Sequence, residues 1–310
     1  MFLEQLKRWH QRLIGTRTAG AVLCLTSLIM LLPARSIAQS VIVGGKNYTE
    51  QLLMAEVTTQ LFRSKGYDVE RRSGYDTTSL RKAQEAGLVD IYWEYTGTSL
   101  RELNKSDERL NPADAYERVK RLDASRGLIW LKPSQVNNSY ALAMRRTEAA
   151  KRGIATISDL AGRVNSGERF VFASNYEFYE RADGLRPLER AYGFEFGRDQ
   201  VVRLDSHMVY QVLHDLRNID VGLVFATDGR VAAYDFLLLI DDRGFFPDYT
   251  MAPVIRQQTL ERHPELTAHL DLLSGLLDDE TMARLNAMVA VDNKPVTKVA
   301  SDFLLRNGLR

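Results

Sequence analysis

VIVGGKNYTEQLLMAEVTTQLFRSKGYDVER, residues 41–71, is the stretch that decides the fold. Val41-Ile42-Val43-Gly44 is a short apolar run closed by a glycine pair, the pattern of a buried strand. From Thr49 to Lys65 the apolar period changes to that of a helix. Leu52, Leu53, Ala55, Val57, Leu61 and Phe62 form its stripe, with Thr49 as the expected N-cap and Glu50 in the first turn. Gly66 stops the helix, and Tyr67 to Arg71 reads as a second strand. Further out, Ser79 to Gly87 reads as a helix and Val89 to Trp93 as a third strand. Strand–helix alternation of this kind predicts a parallel sheet covered by helices.

The alternation breaks near Leu131-Lys132-Pro133-Ser134 and restarts with Tyr140-Ala141-Leu142-Ala143-Met144. A helix opens at Ile157, Phe170 to Ala173 is a strand, and Gly184 to Tyr192 is helical up to Gly193. Strands at Val201–Leu204 and Val221–Phe225 flank a helix around Met208–Leu216. Phe236 to Ile240 is a further apolar run, Ala252 to Ile255 a strand, and Leu260 to Leu309 mostly helical. The expected class is therefore α/β, with two units and a cleft between them.

Residues 1–38 read as a secretory signal. Lys7, Arg8, Arg12 and Arg17 precede an apolar run of 14 residues, Ala19 to Leu32, and Ser36-Ile37-Ala38 offers a cleavage site after Ala38. The run is short for a bilayer span, which needs about 20 residues; an uncleaved anchor is the alternative. The one cysteine, Cys24, lies inside this run, so the exported chain needs no disulfide. Export removes five basic residues and one acid, leaving 36 basic against 39 acidic. That balance points to neither nucleic acid nor a strongly anionic surface as partner.

Aromatic residues carry the chemistry. Tyr92-Trp93-Glu94-Tyr95-Thr96-Gly97-Thr98 ends one strand, Phe225 ends another, and Asn137-Asn138-Ser139-Tyr140 and Phe245-Phe246-Pro247-Asp248-Tyr249 add more rings. A quaternary ammonium has no N–H to donate, so a protein attracts it through ring quadrupoles and dispersion. Each tyrosine taken alone reads first as an ordinary half-buried core residue. Trp93 shares a strand face with Tyr95 and is a candidate for the cleft or for packing. Thr98 precedes a helix-like stretch and suits either a ligand carboxylate or a simple N-cap. Asp228-Gly229-Arg230 reads as a turn with an Asp–Arg contact.

With these landmarks in order, the chain resembles the substrate-binding proteins of osmoprotectant ABC importers, the glycine betaine/choline/carnitine group. Gly45-Lys46-Asn47-Tyr48-Thr49-Glu50-Gln51, Glu94 to Thr98, Asn137 to Leu142, Ala226 to Arg230 and Phe245 to Tyr249 carry the resemblance. It implies a two-lobe periplasmic binding protein of the Venus-flytrap type (type II), hinged, with lobe one at 41–135 plus 245–310 and lobe two at 136–244. It implies an aromatic cage of Tyr95, Tyr140, Phe225 and Tyr249, with polar ligand contacts from Gln51, Thr98 and Asn138. The expected partners are a quaternary-ammonium ligand and an ABC permease with its ATPase; the protein is expected to be periplasmic and monomeric. The chain departs from the family pattern at Phe225, where choline-type members usually carry Tyr, and at Trp93, where Pro is common.

Enzyme signatures are poor. His10, His207, His214, His263 and His269 include no pair at the spacing of a zinc helix. There is no phosphate loop and no nucleophile elbow. The expectation is a binding protein without catalytic residues, cofactor or metal. The alternatives are a receptor for an amino-acid-like solute, which an arginine aimed into the cleft would favour, an exported two-lobe enzyme, or a sensor module.

Overall fold

In a computed structural model, which describes residues 40–310, ten strands form two five-stranded sheets. The strands are β1 (Val41–Lys46), β2 (Val69–Tyr75), β3 (Ile91–Tyr95), β4 (Leu128–Trp130), β5 (Tyr140–Arg145), β6 (Phe172–Asn175), β7 (Val201–Leu204), β8 (Val221–Phe225), β9 (Phe236–Leu238) and β10 (Met251–Arg256). The first sheet runs β2-β1-β3-β10-β4 and the second β7-β6-β8-β5-β9. The expected signal lies outside the described residues. Among the described residues no helix is long and apolar enough to cross a membrane.

The sheets are mixed, not parallel as the alternation suggested. β1 pairs in parallel with β2 and β3, but β10 is antiparallel to β3 and β4. In the second sheet β6 is parallel to β7 and β8, while β5 is antiparallel to β8 and β9. The two sheets thus share one layout, with the reversed strand fourth in each order. Both reversed strands follow a segment that crosses from one sheet to the other. Apolar runs carry no direction, which is why the alternation alone misled.

Helix α1 (Thr49–Ser64) buries Leu53, Met54, Val57, Leu61 and Phe62 against the first sheet. Each such side chain contributes about 1.5–3 kcal/mol by leaving water. Its cap is Tyr48 rather than the expected Thr49, and no side chain closes the first turn. Gly66 follows at φ +89°, in the left-handed region that suits glycine. Helix α2 (Thr77–Glu85) starts before the expected Ser79 because the Asp76 carboxylate accepts from the Ser79 N–H at 2.8 Å. Helix α3 (Pro112–Ala124) packs on β4, α4 (Ser206–Asp215) packs on β8, and α5 (Asp279–Ala290) and α6 (Val296–Arg306) return to α1.

The two crossing segments lie side by side. Asn137 bridges Thr250 in antiparallel sense, and Met251 N–H donates to Val136 O at 2.9 Å. Tyr249 N–H donates to the Asn137 side chain at 2.9 Å.

Candidate functional site

Strand direction gathers the aromatic residues. Tyr95 and Phe225 stand at the carboxyl ends of β3 and β8, where ligands sit in open α/β sheets. Tyr140 opens β5 and pairs directly across from Phe225. Met251 opens β10 across from Tyr95, so Tyr249, two residues earlier, lies just beyond the end of β3. Tyr249 thus precedes its strand. The reversed strands enter each sheet at the edge where the parallel strands leave it.

Four rings meet. Tyr140 and Phe225 have centroids 5.0 Å apart, and Tyr140 meets Tyr249 edge-on at 5.6 Å. Tyr48, a landmark of the sequence that was not among the expected cage residues, stacks on Phe225 at 5.0 Å and 18°. Gly97 makes room for this approach: a Cβ there would stand 2.7 Å from Asp248 O and 2.9 Å from the Tyr249 ring. The rings enclose a cavity of about 30 Å³, room for a water or two. Six of the seven candidates line it: Tyr95, Thr98, Asn138, Tyr140, Phe225 and Tyr249.

Gln51 stands elsewhere, behind Tyr95. Its Nε2 donates to Trp93 O at 2.8 Å and to the Tyr95 hydroxyl at 3.1 Å. Trp93 itself is core, and its indole N–H donates to Thr58 Oγ1 at 2.9 Å. Thr98 is not an N-cap. It sits inside the helical turn that Thr96 begins, and Tyr95 occupies the cap position.

Lys46 also lines the cavity. Its ammonium lies 2.7 Å from Glu94 Oε1 and 5.3 Å from the Tyr95 ring centroid. The pair is fully buried, so Glu94 is a structural partner. The expected Asp228–Arg230 contact is present as a two-point pair at 2.9 and 2.6 Å, with the guanidinium 3.9 Å from the Tyr210 centroid.

A buried carboxylate stands directly behind the cavity wall. Glu50, in the first turn of α1, accepts four hydrogen bonds. Tyr95 Oη donates at 2.7 Å and Asn138 Nδ2 at 2.9 Å to Oε1; Thr227 Oγ1 donates at 2.6 Å and Asn286 Nδ2 at 2.9 Å to Oε2. These donors come from β3, from a crossing segment, from the turn after β8 and from α5. Gly229 lets α5 close on that turn, since a Cβ there would lie 2.4 Å from Ala287 Cβ. Burial pushes the Glu50 carboxyl above the usual range, and the four donors offset only part of that. The Tyr95 hydroxyl is likewise pushed well up, first by burial and then by the Glu50 charge.

Beyond the aromatic cavity an open cleft of about 590 Å³ lies between Asp76, Thr77 and Lys105 on one side and Asn175, Glu177 and Arg181 on the other. Arg181 stands beside the rings, 5.7 Å from the Tyr140 centroid. Its guanidinium is held two-fold by Asp183 at 2.7 Å and by Glu177 at 3.3 Å. Among the described residues no cluster of His, Cys, Asp and Glu is arranged to hold a metal ion.

Residues 39–306 match a family model described as the substrate binding domain of the ABC-type glycine betaine transport system. A glycine-betaine-binding protein of Pseudomonas aeruginosa is 41% identical over 93% of this chain and 94% of its own. The ergothioneine transport permease/ergothioneine binding protein EgtU of Helicobacter pylori is 33% identical over 100% of this chain and 55% of its own. Among solved structures, apo YehZ from Escherichia coli aligns with a TM-score of 0.65 at 34% identity, over 88% of this chain and 100% of that one.

Proposed function

The chain belongs to the family of substrate-binding domains of ABC-type glycine betaine transport systems, and on that premise we propose that it captures a quaternary-ammonium solute in its aromatic cavity and delivers it to a permease driven by an ATPase. The observation that carries this reading is the meeting of Tyr95 and Tyr249 from the first sheet's edge with Tyr140 and Phe225 from the second. Each ring face adds about 1–2 kcal/mol of attraction to a desolvated cation, so a full cage accounts for much of a micromolar affinity.

The lobes divide at 135/136 and 244/245, and the paired crossing segments act as the hinge. In the present arrangement the rings rest on one another, so ligand entry parts Tyr48 and Tyr140 from Phe225 before the lobes close on the ligand. The ligand favours the closed form only by its differential affinity for it. Gln51 acts by bracing Tyr95, while Thr98, Asn138 and Lys46 offer polar groups to the rest of the ligand. The protein works as a periplasmic monomer, released from its signal after Ala38, and performs no chemistry on its cargo. Glycine betaine, choline and carnitine are the leading ligands, and the similarity to an ergothioneine-binding relative adds that betaine to the screen.

A receptor for an amino-acid-like solute would need an arginine free to grip a carboxylate. Arg181 is committed to Asp183 and Glu177, which favours the onium reading. Calorimetric titration with the four ligands tests it. At least one is expected to bind, and the double variant Tyr95→Ala/Tyr140→Ala is expected to abolish binding. Undiminished binding by that variant rules out the cage.

A further inference from the structure

The buried charges bordering the cavity pair off, with one remainder. Lys46 is matched by Glu94 at 2.7 Å, Arg181 by Asp183 at 2.7 Å, with the part-exposed Glu177 sharing that guanidinium at 3.3 Å, and Arg230 by Asp228 at 2.6 Å. Glu50 is 2% exposed, and all four of its partners are neutral donors.

The sense of these hydrogen bonds matches the ionised form. Asn138 Oδ1 accepts from Thr227 N–H at 3.4 Å, which turns the Asn138 amide nitrogen to Glu50. The Asn286 amide nitrogen lies between Glu50 and Thr227 O at 3.1 Å, two acceptors. Gln51 donates to the Tyr95 oxygen, leaving the Tyr95 proton to point at Glu50. Thr227 Oγ1 is the fourth partner at 2.6 Å, and an ionised carboxylate accepts from all four. Neutral donors solvate this charge without cancelling it, and two of them, Tyr95 and Asn138, are themselves cavity wall. One uncompensated negative charge therefore stands one side chain behind the rings, in a region of low effective dielectric.

We propose that Glu50 is the counter-charge that makes the aromatic cavity select cations. The proposal rests on the cage reading above. Ring faces attract a trimethylammonium group, and by dispersion they also hold its uncharged carbon analogue. The carboxylate cannot hydrogen-bond to a fully methylated nitrogen, so it acts through its field and widens the gap between the two. For a zwitterion the same field turns the ligand's own carboxylate away from Glu50, towards the outer cleft.

The test is calorimetric titration of the wild-type chain, Glu50→Gln and Glu50→Asp. The probes are choline with 3,3-dimethylbutan-1-ol and glycine betaine with 3,3-dimethylbutanoate, each pair differing by nitrogen for carbon. For the better-bound pair, wild type is expected to prefer the onium by roughly 100-fold or more, and Glu50→Gln to narrow that ratio by about ten-fold or more. Glu50→Asp, which keeps the charge, is expected to stay within about three-fold of the wild-type ratio. A wild-type ratio below about ten overturns the proposal without any variant. So does a ratio unchanged in Glu50→Gln, or one lost equally in Glu50→Asp, which would assign Glu50 to packing alone. If wild type binds none of the onium ligands named above, the cage reading itself fails and takes the counter-charge with it. Tight binding with an insensitive ratio removes only the role of Glu50.

Discussion

Asp123 and Glu50 are both carboxylates sunk out of water, and they are satisfied in opposite ways. Asp123, on α3, receives Arg81 at two points, 2.8 and 2.9 Å, together with Trp130 Nε1 at 2.8 Å and Ser99 Oγ at 3.0 Å. Its charge is cancelled within the first sheet's own layers. Burial pushes the Asp123 carboxyl up, but the Arg81 bonds and charge outweigh it and hold the carboxyl below its usual range. Glu50 sits where elements of both sheets meet, is wrapped by neutral donors, and is pushed up by burial. A carboxylate with a resident cation is a structural element. One that is desolvated and left without a cation suits a site whose cation arrives from outside.

The largest expected effect comes from breaking the structural knot. Arg81→Met takes the two-point partner from Asp123 and leaves it the longer contact with the half-exposed Arg126 at 3.3 Å; removing one partner of a buried pair costs about 3–5 kcal/mol. Urea unfolding should show that loss, while ligand affinity of the remaining folded protein stays near wild type. A large loss of affinity at unchanged stability would erase the contrast between the two carboxylates.

Next is Tyr95→Phe, which keeps the ring face but withdraws a donor from an ionised carboxylate, worth about 1.5–3 kcal/mol. This change falls mainly on ligand affinity, because Tyr95 joins the cavity wall to Glu50. Calorimetry with the bound onium ligand reads it directly, and a wild-type affinity would detach Glu50 from the site.

The two knots also differ in the sign of their pH dependence. The depressed Asp123 carboxyl contributes stability that is present above its unfolded value and lost as pH falls through the folded one. The raised Glu50 carboxyl does the reverse: its contribution is full below the unfolded value and lost as pH rises through the folded one. Relative to wild type, Glu50→Gln should therefore gain stability between mildly acidic and neutral pH, and Asp123→Asn should lose it as pH rises from strong to mild acid. Urea midpoints across that range check both, and equal slopes would contradict the difference.

The smallest effect is expected from Tyr140→Phe and Tyr249→Phe. Neither hydroxyl makes a hydrogen bond among the described residues, so each change should move binding by less than about 0.5 kcal/mol. A loss as large as that of Tyr95→Phe would mean that the rings act by hydroxyl contacts rather than by their faces.

Much of the fold was legible because apolar period marks helices and strands one by one. α1 and β8 fall almost where the periodicity put them. Strand direction was not legible, because Tyr140–Met144 looks the same read either way, and direction is what brings Tyr140 against Phe225. The candidate site was legible where rings cluster beside turns. Tyr48 was missed because it stands alone among polar residues just ahead of α1, and it finds Phe225 only across the lobes. Glu50 was read as an ordinary first-turn acid, since an acid near a helix start is favourable with no further role. Its four partners are 45, 88, 177 and 236 residues away. No local pattern reports contacts of that range.

A crystal structure of the protein with its tightest onium ligand tests the central claim most directly. The expected result is a methylated nitrogen bounded by the rings of Tyr95, Tyr140, Phe225 and Tyr249, with Tyr48 moved off Phe225 and the Glu50 donors intact. A ligand seated in the outer cleft, with Tyr48, Tyr140, Phe225 and Tyr249 still resting on one another, would contradict the account.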